Sequence, residues 1–217
     1  MGKEPLCATA GSSAFADHLR GARDGEPSAV DAWYRSEHGA VYRLCFGFLA
    51  DISEAEDLAQ DAMLHLLDHL KDWNETRPYG PWRDAVVLNL ARDRQRRLSA
   101  RQRAHQAAGE REVQEREERS VDPHGELERA EMGELLVETL ARLTPREREV
   151  FVLRDLEERS TEETARCLKI ESGTVRSMLT LARRRVRTLL ERRLGGLVTE
   201  GRPFPRGAEG ELGGGHV

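Results

Sequence analysis

The sequence predicts an all-α protein: two small helical domains joined by a charged linker. Three observations predict it. Apolar residues recur at helical spacing in one segment after another, as in Leu58, Ala62, Leu66 and Leu70, and each segment is bounded by start or stop signals. No sustained period-two alternation and no cluster of β-branched residues occurs, so no sheet is expected. Charged residues make up 34% of the 217 positions and aromatics 5%, which suits small bundles better than one large sandwich or barrel core.

In chain order, residues 1–13 read as a loose tail. Ala14 to Arg23 can form a short helix, stopped by Asp24-Gly25-Glu26-Pro27. A longer helix is expected from about Ser28 to Ala50, with Val30, Trp33, Val41, Leu44, Cys45 and Phe48 as its apolar set. Ser53-Glu54-Ala55-Glu56 has the pattern of a capping box and should open a helix through Asp72, with Met63 and Leu67 beside its main stripe. Asn74 to Pro81 reads as a loop. Trp82 to Leu98 is helical again, apolar at Trp82, Val86, Val87, Leu90 and Ala91. The first domain is thus 14–98. Residues 99–126, highly charged and interrupted by Asp122-Pro123-His124-Gly125, form the linker, acidic from Glu110 onward.

The second domain, 127–194, starts with a stripe at Met132, Leu136, Leu140 and Leu143. Thr144-Pro145-Arg146-Glu147 then supplies a capping hydroxyl, a proline at the first helical position and a carboxylate three residues after the cap. Ser160-Thr161-Glu162-Glu163 repeats that logic. A helix to Leu168, the break Lys169-Ile170-Glu171 and a second helix opening near Ser172 or Gly173 have the spacing of a helix-turn-helix. On a helical wheel, Val175, Leu179, Ala182, Val186, Leu189 and Leu190 share one face. Ser177, Thr180, Leu181 and Arg184 point the other way, flanked by Arg176 and Arg187. Between Gly173 and Leu194 seven arginines (176, 183, 184, 185, 187, 192 and 193) face the single acid Glu191. Such a face on the second helix of this motif points to nucleic acid; a solvated surface helix is the plainer alternative. Residues 195–217 read as a disordered Gly/Pro-rich tail.

Net charge, −5, looks wrong for a DNA binder until it is resolved along the chain. Asp51 to Asp72 holds seven acids against Lys71, whereas Arg83 to Arg103 holds seven arginines against Asp84 and Asp93. Two surfaces of opposite sign imply two kinds of partner. Cys7, Cys45 and Cys167 are scattered, with no CxxC pair, which supports neither a disulfide framework nor a zinc knuckle. No apolar run approaches the ~18 residues of a membrane span, and the N-terminus lacks the apolar core of a secretion signal, so a cytoplasmic protein without membrane insertion is expected.

Three blocks in order now carry a resemblance: EAEDLAQDAMLHLLDHL; then Trp82, Val86-Val87, Asn89, Ala91, Asp93 and Arg96-Arg97; then REREVFVLRDLE, STEETA and GTVRS. Together they resemble an extracytoplasmic-function sigma factor, a bacterial sigma subunit with only sigma regions 2 and 4, over about 14–98 and 127–193. The resemblance implies that the acidic helix docks on the clamp of the largest subunit of core RNA polymerase through Asp57, Gln60 and Asp61, with Met63 and Leu67 as apolar contacts. It implies that the opened −10 promoter strand is held by Tyr79, in its loop, and by Asn89, Arg92, Arg96 and Arg97. Duplex DNA at the −35 element would be read by Thr174, Arg176, Ser177, Thr180, Leu181, Arg183, Arg184 and Arg187. Trp73 and Trp82 fit better as core anchors than as base-stacking surfaces. Promoter DNA, core polymerase and an anti-sigma factor or other regulator are the implied partners. No catalytic residue, metal or cofactor is implied.

Three departures from the family pattern stand out. The helix-turn-helix break has Lys169 where glycine is usual, at a position expected to be left-handed. Two usual arginines of the recognition helix are replaced by apolar residues. Arg83-Asp84 stands in place of the common Leu-Tyr after Trp82. Two other readings remain open on sequence. LTPREREV before a helix-turn-helix also resembles the output domain of LuxR-type regulators, and Asp61, His65 and His69 share a helix face that could bind a metal.

Overall fold

The computed structural model describes residues 11–107 and 126–193, and every regular element among them is helical. The first half contains α1 (Gly11–Asp24), α2 (Pro27–Leu49), α3 (Ile52–Asp68), a 3-10 turn (Leu70–Asp72) and α4 (Tyr79–Ala107). The second contains α5 (Glu126–Ala141), α6 (Pro145–Phe151), a π turn (Val152–Leu156), α7 (Thr161–Leu168) and α8 (Ser172–Arg193). Cys7, the tail expected at 195–217 and the acidic part of the linker lie outside the described residues.

Start signals explain most boundaries. Pro27 opens α2, where a missing N–H costs nothing. Asp51, not Ser53, caps α3: its carboxylate accepts from the Glu54 N–H at 2.9 Å, so the helix begins before the expected capping box. Pro81 likewise falls in the first turn of α4, so Tyr79-Gly80-Pro81, expected in a loop, is already helical. Thr144 and Ser160 form reciprocal capping boxes with Glu147 and Glu163, as their sequences predict.

Trp33, Val41, Leu44, Cys45 and Phe48 of α2 pack against Leu58, Met63 and Leu66 of α3 and Val87, Leu88 and Ala91 of α4. In the second half Leu140, Val150 and Leu153 meet Leu168, Val175, Leu179, Ala182 and Val186, the inward stripe of α8. Lys169 ends α7 in the left-handed conformation (φ 56°), donating its N–H to the Ala165 and Arg166 carbonyls. A side chain is strained there, so Lys169→Gly is expected to stabilise the protein by about 1 kcal/mol, read as a higher urea midpoint at unchanged slope.

The two halves pack directly on one another, and their buried apolar residues form one continuous cluster. Close approach requires Gly47: a Cβ there would stand 2.8 and 2.9 Å from the two methyls of Val152. Nearby, Arg148 donates from Nη1 to the Leu49 carbonyl at 3.2 Å.

Candidate polymerase and promoter interfaces

Three surfaces carry the residues singled out by sequence. On α3, Asp57, Gln60 and Asp61 are exposed. Arg94 of α4 reaches over them, pairing with Glu54, with Asp57 at 3.1 Å and with Asp61 at 4.0 Å. Met63 does not share this surface. It is 1% exposed, because it lies on the face that Ala55, Ala59, Ala62 and Leu66 turn into the core. Leu67 is half-buried. The apolar side chain that stands among the acids is Leu64, 65% exposed. Its place three residues after Asp61, four after Gln60 and seven after Asp57 was available in the sequence as a shared helical face.

On α4, Asn89, Arg96 and Arg97 are exposed, with Arg96 paired to Asp93. Tyr79 is a core residue instead of a base-stacking surface. Its hydroxyl accepts from Trp33 Nε1 at 3.2 Å, and its ring meets Phe15, the edge of Trp73 and Trp82. Burial pushes its phenol well above the ordinary range, with the Glu37 carboxylate adding to the shift. Arg92 is also engaged: its Nε and Nη2 both donate to Glu149 of α6 at 2.7 Å, a two-pronged pair across the seam.

The unusual pair Arg83-Asp84 lies at that same seam, 6% and 1% exposed. Arg83 donates to Glu37 at 3.0 Å and to Asp84 at 3.0 and 2.8 Å, and lies 3.6 Å from Glu157 of the second half. Arg159 of the second half closes on the other Asp84 oxygen and lies over Gly80. Burial raises the Glu157 carboxyl, partly offset by Arg83. The cluster joins α2, α4 and the segment before α7.

On α8 the arginines divide. Arg183 forks onto Asp155 at 2.9 and 2.6 Å, and Arg185 donates to Glu147 at 2.6 Å. Arg183, expected at DNA, also ties α8 to the π turn, with about half of its side chain still exposed. Arg176, Arg184 and Arg187 are exposed and have no ion-pair partner among the described residues. Ser177, Thr180 and Leu181 are exposed beside them, while Thr174 is half-buried. No group of three potential ligands among the described residues is placed to hold a metal ion; His65 and His69 stack instead, with His69 Nδ1 2.9 Å from the His65 carbonyl.

An acidic helix face with an exposed leucine, an arginine-rich helix and a helix-turn-helix on one chain fit a DNA-binding protein with a protein partner. The family model for Sigma-70 region 2 matches residues 33–101, and that for Sigma-70, region 4, matches residues 133–186. The chain is 32% identical to the RNA polymerase sigma-E factor of Streptomyces avermitilis over 78% of its length and 89% of the relative. It is 26% identical to the ECF RNA polymerase sigma factor SigW of Bacillus subtilis, over 69% of the chain and 82% of the relative. Its fold is similar to that of the sigma factor RpoE in complex with the anti-sigma factor NepR from Bartonella quintana (TM-score 0.56, 19% identity, covering 74% of this chain and 96% of that one). The chain belongs to the extracytoplasmic-function sigma factors of the sigma-70 family, RNA polymerase subunits of transcription initiation. The region 2 match removes the LuxR-type reading, for which residues 14–98 had no counterpart. No helix among the described residues is long and apolar enough to cross a membrane.

Proposed function

We propose that this sigma factor divides its work among the three surfaces. The outward face of α3 docks on the clamp of the largest subunit of core polymerase through Asp57, Gln60, Asp61 and Leu64. The exposed residues of α4, Asn89, Arg96 and Arg97, hold the opened −10 strand, and the outward face of α8 reads the −35 duplex. The observation that carries this reading is the segregation of charge: acids around an exposed leucine on α3, against unpaired arginines on α8. Charge of one sign steers the encounter, and the apolar centre supplies affinity.

Two variants separate these contributions. Leu64→Ala is expected to weaken core binding about tenfold at any salt concentration. Asp57→Ala with Asp61→Ala should slow association at low salt, with the deficit fading as salt screens it. Unchanged core affinity in both variants would remove α3 as the docking surface.

Arg92 gives its Nε and Nη2 to Glu149, so bringing that whole fork onto the −10 strand would trade away a pair across the seam. Catalysis belongs to the polymerase on this reading, and the protein acts in the cytoplasm where the polymerase is. An anti-sigma factor or other regulator is the proposed third partner; the similarity to a sigma factor solved with its anti-sigma factor supports it at the level of fold.

A further inference from the structure

The outward face of α8 has little hydrogen-bond donor capacity left at its centre. Ser177, Thr180 and Thr188 each donate their hydroxyl proton to their own helix, to the carbonyls of Thr174 at 3.0 Å, Arg176 at 2.9 Å and Arg184 at 3.0 Å. A hydroxyl bonded in this way turns outward only lone pairs and, in threonine, a methyl group. Leu181 lies among them, one turn after Ser177 and one before Arg184. It is 50% exposed and is the only large apolar side chain that the described part of α8 turns to solvent. The free guanidinium groups stand around this centre, at Arg176, Arg184 and Arg187.

A single exposed leucine on a protein surface needs no explanation. Its setting here is different: an apolar centre, rimmed by unpaired cations, on the second helix of a helix-turn-helix. The cations suit phosphate oxygens or the guanine edge. The centre can neither donate to guanine nor neutralise a phosphate. In the major groove the one base-edge group that rewards an apolar side chain is the pyrimidine C5-methyl, carried by thymine.

We propose that Leu181, with the Thr180 methyl beside it, is a specificity-determining residue that reads a thymine C5-methyl group in the −35 duplex. The inference rests on the reading of α8 as the duplex-contacting helix and deepens it to one base position. 5-Methylcytosine presents the same methyl, so the test separates the two sources.

The experiment uses the full chain reconstituted with bacterial core RNA polymerase. Promoter duplexes are selected from a pool with a randomised −35 element. Each thymine of the selected element is then replaced by deoxyuridine, which deletes the methyl and leaves every hydrogen-bonding group in place. At one position the replacement should weaken closed-complex binding about fourfold, the worth of one buried methyl-sized group. Leu181→Ala should weaken binding to the thymine duplex by a similar factor and be indifferent to deoxyuridine at that position. Deoxyuridine without effect at every position would overturn the proposal, as would undiminished sensitivity in Leu181→Ala. Cytosine and 5-methylcytosine at the same position give the second arm: a gain on methylation in the wild type, absent from Leu181→Ala, supports the methyl contact. Preference for 5-methylcytosine over thymine would overturn thymine as its source. Arg184→Ala tests the underlying reading separately. It should lower affinity for all duplexes alike and flatten the salt dependence. If Arg184→Ala changes neither, α8 does not face DNA; if it changes both while deoxyuridine is neutral, only the methyl contact is lost.

Discussion

Joining the halves with a Gly47→Cys, Val152→Cys disulfide is expected to abolish promoter-dependent transcription, and reduction should restore it. An ideal Cβ at position 47 lies 3.5 Å from the Val152 Cβ, within the separation that a disulfide spans. Val152→Cys also removes the two methyls that crowd Gly47. In the joined protein Arg92 stays paired with Glu149, and the α4 and α8 surfaces cannot move apart to reach two separate promoter elements. Apparent affinity for the opened strand falls in proportion to the open fraction, so residual activity should match the uncrosslinked fraction and nothing more. The native thiols interfere little: burial pushes both Cys45 and Cys167 up to about 12, which keeps them protonated and poorly nucleophilic. Cys7 is removed as Cys7→Ser. The measurement is run-off transcription with core polymerase, oxidised against reduced, with each single cysteine variant as control. Full activity of the oxidised double variant would mean that initiation proceeds with the halves closed.

Asp84→Ala should cost about 3 kcal/mol or more of stability. Asp84 is 1% exposed and accepts from both Arg83 and Arg159, so its loss leaves buried positive charge facing only Glu37 and the more distant Glu157. For a chain of 217 residues that corresponds to a thermal midpoint lower by about 6–12 °C. Glu37→Leu, Arg83→Leu and Asp84→Leu together form the informative partner variant. Replacing the three buried charges by apolar groups removes the desolvation cost along with the attraction and should recover much of the loss. If the single variant is as stable as the wild type, the cluster contributes nothing to the folded state.

Much of the helical frame was legible in the sequence because helix signals are local. A proline at a first turn, a hydroxyl three residues before a carboxylate and an apolar stripe at helical spacing act over a few residues, as at Thr144, Ser160 and α8. The left-handed Lys169 was legible through the family resemblance, in which glycine is usual at that position. Local signals also compete, and the stronger one sets the boundary. Asp51 captured the α3 cap from Ser53 because its carboxylate reaches the free Glu54 N–H, and Pro81 was absorbed into the first turn of α4.

What the tertiary structure alone decided is which charges and aromatics are already spent. A wheel already sets Leu64 on the face of Asp57 and Asp61; what the fold adds is that Met63, expected beside them, is taken fully into the core. Tyr79 became interior because three aromatic rings and the Trp33 N–H surround it, groups 46 positions away in the case of Trp33. Arg92 and Arg183 read as DNA contacts until Glu149 and Asp155 are placed beside them, 57 and 28 positions distant. An arginine looks the same in a sequence whether it is free or paired. Only the fold brings its carboxylate within 3 Å, and a guanidinium so held has part of its charge neutralised and only its remaining N–H groups left for a phosphate.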